Sequence, residues 1–65
     1  MENWIACVVG KMHVYKISQG DLANKLGVSR EYVNKILNGI EKPNGAKERI
    51  TVALNELIEE KNKKE

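Results

Sequence analysis

The sequence lacks the features by which small proteins are cross-linked or held in membranes. Cys7 is the only cysteine among the 65 residues, so no disulfide can form within the chain. A lone cysteine fits a reducing, intracellular compartment. No apolar run approaches the roughly 18 residues of a membrane-spanning helix, and the N-terminus lacks the basic region and apolar stretch of a signal peptide. We therefore expect a cytoplasmic protein without a membrane segment.

Groups for catalysis and metal binding are also scarce. His13 is the only histidine, and a metal site made of Cys7 and His13 would lack the further ligands that zinc needs. A buried thiol and a solvent-facing imidazole are the simpler interpretation. The sequence shows no nucleophile with a nearby base, no paired carboxylates in an apolar setting and no phosphate-binding loop. We expect neither an enzyme nor a metal, cofactor or small-molecule site.

The positive charge is small in total but uneven along the chain. The net charge of +2 is too weak by itself to indicate a nucleic-acid partner. Residues 11–47 contain seven basic and three acidic residues, whereas residues 48–65 contain four basic and five acidic residues.

The length allows one domain, and 42% apolar residues suffice for a compact core. A domain of this size is marginally stable unless its helices pack well or it has a partner.

Apolar residues at helical spacing predict a first helix from about Asn3 to Lys16. Asn3 is a suitable N-cap, Lys16 suits the negative end of the helix dipole, and Gly10 weakens the helix locally. The predicted core stripe consists of Trp4, Ile5, Val8, Val9, Met12 and Tyr15. At this spacing its two aromatic residues are expected in the core, with ligand stacking as the alternative.

Two short helices follow, each with its own start signal. Ser18 and Asp21 form a capping-box pattern ahead of a second helix at about 19–26, with Ile17 and Leu22 placed for a hydrophobic staple. Gly27 is expected to end that helix in the left-handed conformation, which glycine adopts without steric cost.

Ser29 is the predicted N-cap of a third helix at about 30–37, with Val28 and Val33 as a second staple. This helix would bury Val33, Ile36 and Leu37, and Asn38-Gly39 would end it.

A fourth helix is predicted from about Gly45 to Glu60, after Pro43 and with Asn44 as its cap. Its apolar stripe consists of Ala46, Ile50, Ala53, Leu54, Leu57 and Ile58. Val52 lies off this stripe. Residues 61–65 form a polar tail that we expect to be disordered, which leaves residues 1–60 as the domain.

Two short helices joined by a tight turn containing glycine are typical of a helix-turn-helix. The segment QGDLANKLGVSREYVNKILNG, residues 19–39, resembles that motif in the lambda-repressor-like family, also called the Cro or Xre type. The resemblance rests on Gln19, Leu22-Ala23, the turn Gly27-Val28-Ser29, the apolar Val33 and Ile36, and Asn38-Gly39. It implies a compact all-α domain of four helices, with five as the alternative.

The resemblance also implies sequence-specific binding to double-stranded DNA, with the third helix, 30–37, in the major groove. The expected base-reading residues are Arg30 for guanine, Asn34 for adenine and Glu31, which either accepts from cytosine or orients Arg30. The expected phosphate contacts are Gln19, Lys35, Asn38 and Lys42. Tyr32 either packs beside the second helix or contacts the DNA backbone.

The sequence thus favours a small transcriptional regulator, similar to the repressors and Cro-like proteins of phages and mobile elements. The alternative is a protein-interaction module with the same fold, such as an antitoxin or adaptor, that need not bind DNA. We also expect a weak homodimer that forms mainly on DNA. Its contact would be either the Val52 side of the fourth helix or the side of the first helix with Ala6, Cys7 and Val14.

Overall fold

A computed structural model describes residues 2–63 and shows four α-helices and no strand within that range. The helices are α1 (Asn3–Tyr15), α2 (Gln19–Leu26), α3 (Arg30–Leu37) and α4 (Ala46–Lys63). The predicted all-α fold is confirmed with four helices, because α4 is continuous where the alternative of five required a break. No helix in the described range combines the length and apolar character needed to cross a membrane.

Side-chain caps start α2 and α3 as the sequence predicts. The Ser18 Oγ accepts a hydrogen bond from the Asp21 N–H at 3.0 Å, and the Asp21 carboxylate accepts one from the Ser18 N–H at 3.0 Å. The Ser29 Oγ accepts from the Tyr32 N–H at 3.1 Å. These bonds satisfy N–H groups that have no carbonyl partner within a helix.

Gly27 ends α2 in the left-handed conformation, with φ 75° and ψ 30°. The N–H groups of Gly27 and Val28 both donate to the Ala23 carbonyl, at 2.8 and 3.0 Å. The predicted turn is therefore confirmed, and it sets the angle at which α3 leaves α2.

One apolar core joins the four helices. α2 packs against both α3 and α4, and α1 packs against α4. The buried residues are Ile5, Val8, Met12, Ile17, Leu22, Ala23, Val33, Ile36, Leu37, Ala46, Ile50, Ala53 and Leu54. The predicted stripe of α4 is confirmed, with Leu57 and Ile58 partly buried and Val52 55% exposed.

The predicted stripe of α1 is too wide. Val9 and Tyr15 are 40% and 38% exposed, because α1 packs mainly against one helix and only a narrow strip of its surface is covered. Asn3 is also not the N-cap: Glu2 occupies that position and makes no side-chain cap hydrogen bond. At the other end, the left-handed residue is Lys16, with φ 58°.

The bounds of α4 differ from the prediction at both ends. Gly45 has φ 79°, which is incompatible with the helix, so α4 begins at Ala46. The helix continues to Lys63, and Lys61 and Lys63 in its last turn favour this extension because they lie at the negative end of the dipole. Residues 61–63 of the predicted tail are therefore helical, and residues 64 and 65 lie outside the described range.

Candidate nucleic-acid interface

The α3 helix presents one polar side to solvent. Its apolar residues Val33, Ile36 and Leu37 are at most 4% exposed, since they pack into the core. The residues on the opposite side are exposed: Arg30, Glu31, Asn34 and Lys35. This division follows from the helical period of the sequence, in which residues three and four apart share a face.

The N-terminus of α2 lies beside this polar side of α3, and together they form an open groove of about 540 Å³. The groove is lined by Ser18, Gln19, Gly20, Arg30, Glu31, Asn34 and Lys35. It brings together five of the seven predicted DNA-contacting residues. The other two, Asn38 and Lys42, line a separate hollow of about 470 Å³ beside the start of α1.

A chain of side-chain amides connects the two helices across the groove. The Nδ2 of Asn34 donates a hydrogen bond to the Oε1 of Gln19 at 3.2 Å. The Nδ2 of Asn38 donates to the Oδ1 of Asn34 at 2.9 Å. Asn38 is therefore joined to the groove through Asn34, although it lines the neighbouring hollow.

The first turn of α2 combines backbone N–H groups that have no acceptor in the helix with one carboxylate, that of Asp21, which accepts from the Ser18 N–H. Gln19 and Gly20 are half-buried and hold the first two N–H groups of the helix, which have no carbonyl acceptor in their own helix. A Cβ at Gly20 would lie 3.5 Å from the Ser18 Oγ and 3.9 Å from the Arg30 Cδ. The aliphatic part of Arg30 thus extends over the first turn of α2.

Sequence reasoning recognised Ser18 only as a cap and did not include Gly20 among the site residues. Both line the groove because the first turn of α2 faces α3. The position of Gly20 next to Gln19 is the one sequence signal that could have pointed to it, since the motif places that turn close to DNA.

An ion pair ties the opposite end of α2 to α4. The Lys25 ammonium group donates to the Glu60 carboxylate and lies 3.9 Å from the Glu56 Oε1. The hydrogen bond to Glu60 raises the pKa of Lys25, and the charges of Glu60 and Glu56 act in the same direction. The carboxylates of Glu60 and Glu56 therefore compensate the charge of Lys25. Arg30 and Lys35 are the basic residues that line the groove.

In the described part of the chain, no three His, Cys, Asp or Glu residues lie together in a way that could hold a metal ion. The solvent-facing position expected for His13 is confirmed. Cys7 is exposed, so the expectation of a buried thiol is wrong. Cys7 lies on the side of α1 opposite the buried residues Ile5, Val8 and Met12.

A family model described as helix-turn-helix matches residues 15–47, about half of the chain. The matched range includes all of α2 and α3 and ends at the start of α4. Searches of curated proteins and of solved structures gave no match.

Proposed function

Because this chain belongs to the helix-turn-helix family of DNA-binding regulators of the Cro and Xre type, we propose that it recognises a specific sequence in double-stranded DNA. We further propose that it acts as a small transcriptional regulator, similar to the repressors and Cro-like proteins of phages and mobile elements. The observation that carries the proposal is the groove in which the start of α2 and the polar side of α3 meet.

The dimensions of α3 suit the DNA major groove. An α-helix with its side chains is about 10–12 Å across, which fits a groove about 12 Å wide, and the eight residues of α3 make it about 12 Å long. Arg30 and Glu31 form the first turn of α3, which is the part that reaches base edges in this motif. We propose Arg30, Glu31 and Asn34 as the base-reading residues, with Arg30 directed to guanine.

Phosphate contacts would flank these base contacts. The backbone N–H groups at the start of α2 and the side chain of Gln19 offer donors to one phosphate. Lys35 is an exposed cation of α3, and Lys42 is an exposed cation of the loop that follows α3. Asn38 is predicted as a further phosphate contact, and its amide also donates a hydrogen bond to Asn34.

A single recognition helix contacts only a few base pairs, which is too few to select a site in a genome. We therefore propose a weak homodimer that forms mainly on DNA. A cleft of about 310 Å³ between α2 and α4 supports one contact face, since Leu26, Ala53 and the exposed Val52 form an apolar centre there. Charged residues also line it: Lys25, Glu48, Arg49 and Glu56. The other candidate face is that of α1, where Val14 is 73% exposed.

Selection from a random duplex library at a fixed salt concentration tests the proposal. We expect a single enriched site with two related halves, and we expect Arg30→Ala to lose the enrichment at a defined base pair. Lys61→Ala, a charge change far along α4, serves as the control and should select the same site. If no duplex is enriched over random DNA, the protein-interaction alternative is favoured.

A further inference from the structure

We infer that Asn38 is a positioning residue that sets the orientation of the Asn34 and Gln19 amides toward DNA, and is not itself a phosphate contact. The inference rests on the proposed function and deepens it, because it assigns the specificity at one base pair to a connected set of three side chains. Its structural basis is the amide chain Asn38–Asn34–Gln19.

The direction of the two hydrogen bonds determines which donors and acceptors each amide retains for contacts with DNA. A side-chain amide has two N–H donors and one oxygen with two lone pairs. Asn34 uses one donor on Gln19 and one lone pair on Asn38, so it retains one donor and one lone pair. Adenine presents one acceptor, N7, and one donor, N6–H, in the major groove, so this remainder is complementary to adenine.

The same bonds orient Gln19 for phosphate. Its Oε1 faces Asn34, so its Nε2 keeps both N–H donors for another partner. A phosphate oxygen only accepts hydrogen bonds, and the opposite orientation of the Gln19 amide would direct an oxygen at it. The Asn34 bond thus selects the orientation of Gln19 that can bind phosphate.

Asn38 is held where it can act on Asn34. It is the residue that follows α3, its backbone N–H donates to the Asn34 carbonyl at 3.0 Å, and its φ of −91° and ψ of 1° keep it close to helical geometry. Residues four apart on a helix are neighbours on one face, so its amide reaches the Oδ1 of Asn34. The amides are therefore arranged before DNA arrives, which lowers the ordering cost of binding.

Two substitutions at Asn38 separate positioning from direct contact. Asn38→Ala removes the donor to Asn34 and should reduce the discrimination at one base pair by about 5- to 150-fold, the range that one bidentate contact provides. Asn38→Asp cannot donate and instead accepts from the Asn34 Nδ2. This substitution should rotate the Asn34 amide and change which base is preferred at that same pair.

Lys42→Ala is the matched control, because it and Asn38→Asp each lower the net charge by one unit. Lys42→Ala should weaken binding to all duplexes and leave every base preference unchanged. If Asn38→Ala also weakens all duplexes equally, with the wild-type base preferences retained, Asn38 is a phosphate contact and the inference is overturned.

A measurement without DNA tests the amide chain itself. In nitrogen-15 NMR spectra, Asn38→Ala should shift the side-chain NH₂ signals of both Asn34 and Gln19, and leave those of Asn24 and Asn55 in place. Unchanged Asn34 and Gln19 signals would overturn the inference even if the wild-type protein selects a site. If these signals shift but the wild-type protein enriches no duplex, the proposed function fails, and the inferred role in DNA reading fails with it.

Discussion

At the scale of single residues, α3 and the loop after it contain exposed side chains of two kinds, and DNA binding should respond to them differently. Arg30 extends from the first turn of α3 and can pair with guanine through two N–H groups. We expect Arg30→Ala to cost about 1–3 kcal/mol on the selected duplex and to relax specificity at one base pair. Binding to a set of singly substituted duplexes measures both effects, and equal losses on specific and random DNA would contradict base reading by Arg30.

Lys42 differs because it is an exposed cation outside the groove that contains Arg30. If it contacts phosphate, Lys42→Ala should weaken all sequences alike and reduce the slope of log affinity against log salt by about 1. Titrations at several salt concentrations measure this slope, and Lys61→Ala is the control that should leave it unchanged. A sequence-dependent loss would instead make Lys42 a base-reading residue.

At the scale of elements, two glycines show how the same substitution can have opposite effects. Gly27 has φ 75°, where an L-residue is strained, so Gly27→Ala should destabilise the domain by about 1–2 kcal/mol. Gly10 lies inside α1 without positive φ, and a Cβ there would meet no atom within 4 Å. Gly10→Ala should therefore stabilise by about 0.5–1 kcal/mol. Denaturant unfolding checks both, and a tolerated Gly27→Ala would contradict the strained turn.

The ion pair between α2 and α4 should stabilise the folded protein at neutral pH and lose this effect at alkaline pH. The pKa of Lys25 is raised above its ordinary 10.5, chiefly by its hydrogen bond to Glu60, so the charged form stabilises the folded state. This contribution is complete below the ordinary pKa and is lost as pH rises through the higher pKa of the folded state. The melting temperatures of wild type and Lys25→Met should differ at neutral pH; the difference should begin to shrink above pH 10.5 and disappear above the raised pKa of the folded state.

Lys11→Met is the control for this comparison. Lys11 is an exposed residue inside α1, outside its first and last turns, and makes no ion pair in the described structure. Its melting temperature should track the wild type across the pH range. High salt should also reduce the effect of Lys25→Met, because exposed ion pairs are screened. An effect that persists unchanged in alkali would show that Lys25 acts by packing of its aliphatic stem.

At the scale of the whole molecule, the number of protomers bound to DNA determines how many base pairs are recognised. Dimeric helix-turn-helix proteins bind half-sites about 34 Å apart, one turn of the duplex. We expect sedimentation to show mainly monomer at micromolar concentration and a 2:1 complex with a palindromic duplex. A stable 1:1 complex without a second binding event would rule out the dimer.

Two substitutions distinguish the candidate dimer faces. Val52 and Val14 are exposed apolar residues on different helices, at 55% and 73% exposure, so charging either one should leave the fold intact. Val52→Glu should abolish the second binding event if α4 forms the contact, and Val14→Glu should do so if α1 forms it. If both variants retain the second binding event, the dimer contact lies elsewhere.

The sequence by itself determined the elements and the motif. The caps at Ser18 and Ser29 and the turn at Gly27 were predicted correctly because each depends on residues within three or four positions along the chain. The inward faces of α3 and α4 also follow from the helical period alone. The same local pattern indicated the helix-turn-helix family, since the motif is a short, continuous segment.

Tertiary structure decided what depends on how the helices pack. Val9 and Tyr15 are exposed because the neighbouring helices cover only a narrow strip of α1. The helical period of the sequence predicts which residues share a face, but it does not predict how wide the covered strip is. The bond between Gln19 and Asn34 joins residues 15 positions apart and requires the crossing angle of α2 and α3. The sequence could name both amides as candidates, but only the packed helices bring them together and fix which end of each remains for DNA.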